Sequence, residues 1–301
     1  MKNIFLLALL LFTFPLFADE LPKIDYPQLK FGDSNSLEIM SWNIQHFPKN
    51  VNTVNYAAKI IHAVDPDVVG LQEIESDSAF VVLVNELQII DPKSKWNGFR
   101  ADTDEWNLNL AYLYKTAVVE IDSIYQIYPS DSIYHSPFPR KPLVLEFIYR
   151  NENYFVINNH LKAMGGEKNE SRRKAACKLL DEYIENNLSE EEVFIIGDMN
   201  DEIAEPAEFN VFISFINQPE KYRFADMDIA QDSTANWSYP YWKYRGQIDH
   251  ILITNELFDE FQHKDSEIKT IVIDEYMDGG ENARYKYITD HRPVAIKLQI
   301  Q

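Results

Sequence analysis

The sequence predicts one large domain with a mixed α/β sandwich fold, in which strands form the core and helices lie outside. The 301 residues are 46% hydrophobic, so the chain can bury a large core. No repeat, low-complexity tract or Gly/Ser-rich linker divides it. Segments with strand and helix periodicity alternate irregularly, and half-polar strands lie beside fully apolar ones. That mixture favours mixed sheets over a fully parallel one.

Strands are predicted where apolar and polar residues alternate, or where apolar residues form short runs. The segment 36–44, SLEIMSWNI, alternates, whereas 68–74, VVGLQEI, and 193–198, VFIIGD, are nearly continuous apolar runs. The last segment, 293–300, alternates strictly. The remaining predicted strands are 110–115, 143–149, 154–160 and 247–254.

Helices are predicted where apolar residues recur at intervals of three or four. Four apolar residues between Val51 and Ile61 follow this spacing, and Asp65-Pro66 ends that helix. A long amphipathic helix is predicted over 169–187, and a shorter helix near 206–216.

The first residues have the composition of a secretory signal peptide. Lys2 gives a positive start, an apolar run follows to Phe17, and Ala18 is a small residue at the expected cleavage point. The run is too short for a membrane span, which needs about 20 residues. We therefore predict export, to the periplasm or outside the cell. The predicted divisions are a signal peptide (1–18), an N-terminal linker (19–35) and one folded domain (36–301).

Charge and cysteine content exclude some functions. Acidic residues outnumber basic ones by 48 to 28, and the formal net charge is −20. A bulk charge of that sign argues against a passive nucleic-acid coat, but not against an enzyme that neutralises a phosphate locally with a metal and a few cations. Cys177 is the single cysteine, so no disulfide forms within the chain. It shares a helical face with Leu180 and Ile184, which predicts a buried thiol.

Polar side chains stand at the tips of several predicted strands. Four sets lie at or just past the end of a strand, and two lie where a strand begins. If the latter two strands run antiparallel to the others, all the tips gather along one edge of the sandwich. Each alone is explained as a turn former, a solvated acid or a structural histidine; their joint occurrence favours a functional site. The tips are Asn43, Glu73, His160, Asp198 with Asn200, Asp249, and Asp290-His291.

These residue types suit the binding of a hard divalent cation. Glu73 is a carboxylate of the kind that holds Mg²⁺ or Mn²⁺, and Asn43 adds a neutral oxygen beside it. Such an ion polarises a phosphoryl oxygen and offsets charge on a leaving oxygen. The predicted cofactor is therefore Mg²⁺, with Mn²⁺ or Ca²⁺ as alternatives.

The other tips suit proton transfer and charge stabilisation. Asp198, with Asn200 two residues on, can orient or deprotonate an attacking water. His160 and His291 can donate to phosphate oxygens, where charge builds in the transition state. A histidine does this best as an imidazolium held by a carboxylate, and Asp249 is the candidate partner of His291. The set predicts metal-assisted hydrolysis of a phosphate ester.

At these residues the sequence resembles the endonuclease/exonuclease/phosphatase superfamily, which has the deoxyribonuclease-I-like fold. The resemblance covers about residues 36–300, and its motifs occur in the family's order. It implies a four-layered α/β sandwich of two packed mixed β-sheets flanked by helices. The motifs are SWNIQ, GLQEI, NNHLKA, GDMND, QIDHIL and TDHRPV.

The resemblance also implies a role for each position. The implied metal-side residues are Asn43, Glu73 and Asp290. The implied catalytic residues are Asp198, which activates the water, its orienting neighbour Asn200, the phosphate-binding His160, the transition-state His291 and its carboxylate partner Asp249. The implied substrate-binding residues are Arg140, in FPRKP, and Asn109, in NLAYLYK.

Two departures from the family's patterns narrow the choice among its branches. Gln45 stands where abasic-site repair endonucleases carry an acid, which weakens a second metal position. NNHLKA replaces the tyrosine-containing signature of those enzymes. With the signal peptide, these departures favour the secreted-nuclease or sphingomyelinase-like branches over DNA repair.

We therefore predict an exported, metal-dependent phosphodiesterase, most simply an endonuclease that works by in-line water attack on nucleic acid. A sphingomyelinase- or inositol-phosphate-type phosphoesterase, acting on a lipid head group or inositol phosphate, is the first alternative. A non-catalytic binding protein on the same fold is the second. No G-x-S-x-G stretch is present to support a serine hydrolase, and no stable protein partner is predicted.

Two further stretches bear on the substrate. A basic cluster begins after His160, and it predicts either an attractor for a polyanion or a solvated helix face. The aromatic stretch 236–246, NWSYPYWKYRG, either contacts bases or lipid or belongs to the core. The basic cluster comprises Lys162, Lys168, Arg172, Arg173, Lys174 and Lys178.

Overall fold

The structure, a computed structural model, describes residues 20–102, 107–128, 132–232, 236–241 and 244–300. Two six-stranded sheets pack face to face, and helices cover both outer faces. This is the four-layered sandwich that the sequence predicts. The predicted signal peptide lies outside the described residues.

The strands in the described residues are β1 (Leu37–Phe47), β2 (Val68–Ile74), β3 (Trp96–Arg100), β4 (Asn109–Lys115), β5 (Glu120–Gln126), β6 (Leu143–Tyr149), β7 (Glu152–His160), β8 (Glu192–Asp198), β9 (Tyr222–Phe224), β10 (Tyr239–Tyr241), β11 (Tyr244–Gly246), β12 (Asp249–Thr254), β13 (Glu267–Thr270) and β14 (Val294–Leu298).

The helices are α1 (Thr53–Val64), α2 (Asp77–Ile90), α3 (Ser132–His135), α4 (Glu167–Asn187), α5 (Ile213–Ile216), α6 (Met227–Ala230), α7 (Phe258–Phe261) and α8 (Gly280–Tyr287). Short 3₁₀ helices occupy Tyr26–Leu29, Asn255–Leu257 and Ile273–Tyr276.

The two sheets share one design. The strand order is β13-β14-β1-β2-β4-β3 in the first sheet and β5-β6-β7-β8-β12-β9 in the second. Each sheet contains one parallel pair near its centre, β1 with β2 and β7 with β8. The neighbours of these pairs, β14 and β12, run antiparallel to them. The carboxyl ends of the parallel strands and the starts of β12 and β14 therefore meet at one edge.

Three apolar clusters separate the four layers. One joins β1 and β2 to α1 and α2, one fills the space between the sheets, and one joins β7 and β8 to α4. Cys177 lies in the last cluster and is buried, as predicted. Among the described residues, no helix is long and apolar enough to span a membrane.

Most predicted elements occur where expected, but the helix predicted near 206–216 is mostly absent. Only Ile213–Ile216 is helical there. The side chain of Asn210 donates to Ile203 O (2.9 Å) and accepts from Phe212 N (2.8 Å). These local side-chain bonds compete with helical backbone bonds and favour turns.

The segment that the sequence assigns to a linker contacts the core. Ile24, Leu29 and Phe31 are buried in the cluster beneath α1 and α2, and Ile24 forms a β-bridge with Met277. Residues 20–35 therefore pack as part of the domain.

A buried polar network joins the two sheets behind the tips of the parallel strands. Gln72 Nε2 donates to Asn158 Oδ1 (2.7 Å), and Asn158 Nδ2 donates to Leu71 O (3.0 Å). The Tyr112 hydroxyl donates to Val156 O (2.7 Å) and accepts from Asn158 N (2.9 Å). Leaving any of these buried groups unpaired costs about 1–3 kcal/mol, so the network fixes how the sheets are placed against each other.

A second buried polar group makes stability depend on pH. The Glu38 carboxylate accepts from Ser36 Oγ (2.6 Å) and Asp33 N (3.0 Å) and lies next to Asp67. Burial and the charge of Asp67 raise the pKa of Glu38 from 4.5 to about 8. The folded state therefore binds this proton more tightly than the unfolded state. Its stabilising contribution is complete below the unfolded pKa and is lost as pH rises through about 8.

Glu38→Gln is expected to raise the melting temperature at pH 9 but not at pH 5, because the amide cannot ionise. One pKa unit corresponds to about 1.4 kcal/mol, so the gain at pH 9 should exceed about 3 °C. Thermal unfolding followed by circular dichroism measures the difference. The control is Glu120→Gln on an exposed strand position. An equal effect of Glu38→Gln at both pH values would contradict the raised pKa.

Candidate active site

The predicted tips converge at the shared edge of the sheets. The register pairs Asn43 with Gln72, next to Glu73, in the first sheet. In the second sheet it pairs Asp198 with both His160 and Asp249. The edge opens into a cleft of about 700 Å³. Its lining includes the predicted residues Glu73, His160, Asp198, Asn200, Asp290 and His291.

Backbone conformation directs several of these side chains. Gly197 has φ +142°, and a Cβ there would lie 2.0 Å from Asn159 O, so only glycine allows β7 and β8 to approach closely before Asp198. Glu73 (φ 64°), Gln45 (φ 39°) and Asn200 (φ 56°) also adopt left-handed conformations. Non-glycine residues rarely do so, and such strain concentrates at functional sites.

Asn43 links the carboxylates of the two sheets. Its Nδ2 donates to Glu73 Oε1 (3.1 Å) and Asp198 Oδ2 (2.9 Å), while its Oδ1 accepts from Gln45 N (3.0 Å). The backbone donor fixes the orientation of the amide, because only the oxygen can accept from it. The amide nitrogen, not the predicted neutral oxygen, therefore faces the carboxylates, and Asn43 positions Glu73 and Asp198.

Glu73 and Asp290 fit the requirements of a divalent cation. Glu73 Oε2 accepts from His46 N (3.0 Å), and Asp290 Oδ2 accepts from Gln45 Nε2 (2.6 Å). Asp290 Oδ1 is buried, and it has no hydrogen-bond partner among the described residues. A buried carboxylate oxygen without a partner is unfavourable unless a cation or water completes it. Two carboxylates that line the cleft match the oxygen ligands that Mg²⁺ prefers.

A second group, Asp198, Asp249 and His291, has possible ligand atoms within 4.8 Å of one another. There, His291 Nδ1 and Asp249 Oδ2 already form a 2.7 Å hydrogen bond. Burial lowers the pKa of His291, but the charge and hydrogen bond of Asp249 outweigh it and raise that pKa to about 10. A protonated imidazole repels a cation and has no lone pair to offer. This argues against a cation at the second group and leaves Glu73 and Asp290, two of the predicted metal-side residues, as the candidate ligands.

The His291–Asp249 pair is held by residues that sequence inspection did not select. Ser238 Oγ accepts from Asp249 N (3.1 Å), and Ser238 O accepts from Arg292 N (2.7 Å). The ring of Tyr239 packs 4.7 Å from that of His291. All three contacts come from the aromatic stretch 236–246, which therefore orients the site; its richness in aromatic residues was the available signal.

His160 differs from His291. Its Nε2 lies 3.5 Å from Asp198 Oδ2 and 3.9 Å from Glu73 Oε1, and its buried Nδ1 has no hydrogen-bond partner among the residues described. Burial, with the charges of Arg140, His291 and Lys162, holds the pKa of His160 well below its usual range. His160 therefore favours the neutral form, because no carboxylate of the described residues accepts a hydrogen bond from it to compensate its burial.

Asp198 lies at the centre of the site. Burial raises its pKa to about 7; His291 opposes this rise, and the charges of Asp249 and Glu73 add to it. A carboxylate with a pKa near neutrality is suited to accept a proton at physiological pH. Asn200 N donates to Asp198 Oδ1 (3.0 Å), and Asn200 Nδ2 donates to Leu161 O (3.2 Å). Asn200 therefore lies beside Asp198, as predicted.

The two predicted substrate-binding residues lie in different surroundings. Arg140 lines a groove next to the cleft, together with Lys162 and Arg172. Asn109 is buried at the start of β4, and its Nδ2 donates to Asn107 Oδ1 (3.1 Å). It is not among the residues that line the cleft. Its partner in the strand register is Ile74, the residue after Glu73, and its predicted role in substrate binding stays a prediction.

The predicted basic cluster divides in the structure. Arg173 is buried and pairs with Asp201 at 2.7 Å, and it donates to Lys162 O (2.7 Å). Lys178 pairs with Glu182 on the solvent side of α4. Only Lys162 and Arg172 from this cluster line the groove, so neither interpretation holds for the whole set.

Comparisons with known proteins agree with this geometry. The model of the Endonuclease/Exonuclease/phosphatase family matches residues 40–291. The comparison with curated proteins found no match.

Similar solved structures show the same fold. Humanized D. rerio TDP2 superimposes with a TM-score of 0.62 at 15% identity, over 89% of this chain and 100% of that one. The human Nocturnin catalytic domain with bound sulfate gives 0.60 at 14%, over 93% and 99%. D. rerio TDP2 complexed with a single-strand DNA product gives 0.59 at 15%, over 89% and 100%. At these identities the likeness establishes the fold alone.

Proposed function

Because the chain belongs to the endonuclease/exonuclease/phosphatase family, we propose that it is a divalent-metal-dependent phosphodiesterase that hydrolyses nucleic acid, cutting at internal bonds. The observation that carries this proposal is the convergence on one centre. Asn43 bonds to both Glu73 and Asp198. The Nε2 atoms of His160 and His291 lie 3.5 and 3.8 Å from the same Asp198 oxygen.

The chain's own residues supply a base and charge stabilisation. Asp198 accepts a proton from the attacking water and orients it, since its pKa lies near neutrality. His291, protonated and held by Asp249, donates to a non-bridging phosphate oxygen, where negative charge grows. His160 is a neutral donor to the same phosphate. Asn43, which donates to both Glu73 and Asp198, holds these two carboxylates in position.

Glu73 and Asp290 would hold the metal. When bound, a divalent cation there polarises a phosphoryl oxygen and offsets charge on the leaving oxygen. The partners of these carboxylates, His46 N and Gln45 Nε2, come from the end of β1. They orient the carboxylates from behind, as the supporting residues of metal sites do.

A binding protein on the same fold has no need of this set of groups. A buried carboxylate oxygen without a hydrogen bond and three strained backbone positions at one edge reduce stability. Their retention at the mouth of a cleft supports catalysis.

The test is a substrate panel with purified mature protein. Plasmid, RNA, sphingomyelin and inositol phosphates are offered with Mg²⁺, with and without EDTA. We expect cleavage of nucleic acid that EDTA abolishes and excess Mg²⁺ restores, with nicking of circular plasmid as the sign of internal cutting. Hydrolysis of sphingomyelin or inositol phosphates alone would overturn the choice of substrate, and binding without hydrolysis would overturn the enzyme assignment.

We also propose that the protein is exported by residues 1–18. The support is the positive start, apolar run and small residue before the acidic segment. Mass spectrometry of the protein recovered from outside the cytoplasm should give an N-terminus near residue 19. Recovery of the full chain from the cytoplasm alone would refute export.

A further inference from the structure

A basic groove adjoins the catalytic cleft. Its volume is about 480 Å³, and His46 lines both the groove and the cleft. Three cationic side chains from separate segments line it, namely Arg140, Lys162 and Arg172. In a chain of net charge −20, this grouping of cations is a local reversal of the bulk charge.

Two of the three cations in the groove, one lysine and one arginine, have no acidic side chain paired with them in the described structure. Neither Lys162 nor Arg172 forms an ion pair within the part of the chain that the structure describes. Arg172 Nε donates to Ser136 O (2.6 Å), which fixes the guanidinium. The acid that lines the groove, Glu75, is engaged by His46 Nδ1 at 2.6 Å.

The cations in the groove repel one another. Burial, then the charges of Arg172 and Arg140, lower the pKa of Lys162. Burial, then the charge of Arg140, lowers the pKa of Arg172. Such mutual repulsion is relieved when an external anion binds among the cations.

The groove is continuous with the part of the cleft that contains His160 and Glu73. Lys162 follows His160 by two residues, at the end of β7. His46 donates its backbone N–H to Glu73 Oε2 (3.0 Å), while its ring faces Glu75 in the groove. An anion in the groove is therefore a near neighbour of a phosphate that His160 binds in the cleft.

Another part of the cleft has the opposite charge. Glu170, Glu202 and Glu205 line the cleft, and Glu202 lies next to Gly246. Burial, with the charges of nearby acids, raises the pKa of Glu202 and Glu205. This acidic part disfavours a second phosphate, whereas the groove attracts one.

We propose that the Arg140–Lys162–Arg172 groove binds the phosphate next to the scissile one in a nucleic-acid strand, on one side of the cleavage point. This inference rests on the proposed function and names its substrate class, a strand with at least two phosphates. Arg and Lys form charge-assisted hydrogen bonds to phosphate oxygens. A lipid with one phosphodiester has no second phosphate to offer Lys162 and Arg172.

The test measures binding without chemistry. Thymidine dinucleotides with no terminal phosphate, a 5′-phosphate or a 3′-phosphate are titrated into the protein by calorimetry in EDTA at low salt. We expect one of the two phosphorylated forms to bind about tenfold or more tightly than the unphosphorylated form. The double variant Lys162→Gln/Arg172→Gln should lose this preference.

The matched control is Lys168→Gln/Lys178→Gln, which removes the same charge from exposed positions of α4 and should keep the preference. Equal affinity for all three dinucleotides would overturn the inference. A preference that survives in the groove variant would also overturn it, because the extra phosphate would then bind elsewhere. Cleavage of polymer with Mg²⁺ is scored separately, so loss of the proposed function is distinguishable from failure of the groove.

Discussion

Glu73→Gln is expected to reduce metal-dependent phosphodiester cleavage by at least about 1000-fold, or roughly 4 kcal/mol of transition-state stabilisation. The substitution removes the charge that attracts a divalent cation and leaves the shape of the side chain unchanged. Its amide oxygen can still accept from Asn43 or His46, whose bonds to Glu73 measure 3.1 and 3.0 Å. Because the two bonds go to different oxygens, the amide keeps only one of them, so the fold should stay intact while the melting temperature falls by a few degrees at most.

Initial rates at increasing Mg²⁺ concentration measure the effect, since a weakened metal site shifts the curve to higher concentration. The control is Glu202→Gln, the same change at another carboxylate that lines the cleft. It should keep activity within about threefold, a difference of less than 1 kcal/mol. Full activity in Glu73→Gln would refute the assignment of this residue.

His291→Ala is expected to reduce kcat by about 1000-fold, because it removes the protonated donor to the phosphate. Asp249→Asn should act in the same direction by a different route. Without the carboxylate that accepts from His291 Nδ1 at 2.7 Å, burial dominates and the pKa of His291 falls. Single-turnover kinetics separates this loss of chemistry from any change in binding.

The chain contains a matched control for this pair. His250 Nδ1 lies 2.7 Å from Asp226 Oδ2, both residues are buried, and neither lines the cleft. His250→Gln should therefore lower the melting temperature while kcat stays within about fivefold. Activity of His291→Ala within about tenfold of the wild-type value would contradict the proposed role.

The positions of the polar side chains at the strand tips could be predicted, because they depend on the order of the motifs and on the period of the apolar residues. Apolar runs end at Glu73 and Asp198, and the starts of β12 and β14 lie beside Asp249 and His291. Antiparallel pairing of these strands with their neighbours brings the tips to one edge. Motif order and strand period carry that information in the sequence.

The orientation, protonation and burial of the site side chains could not be predicted from the sequence. Each of these properties depends on contacts with segments that are distant in the sequence. The orientation of Asn43 is fixed by the backbone of Gln45, which turns through a left-handed conformation. The neutral state of His160 depends on burial and on Arg140. Arg173 is buried because it forms an ion pair with Asp201, which lies just past the carboxyl end of β8. Local periodicity says nothing of such pairings.

The most direct test of the account is the position of the metal. Crystals soaked in Mn²⁺ and measured near the manganese absorption edge would locate the ion by anomalous scattering. We predict the strongest peak within coordinating distance of the carboxylates of Glu73 and Asp290. A peak between Asp198 and His291, or a cleft that stays empty at saturating Mn²⁺, would contradict the central claim.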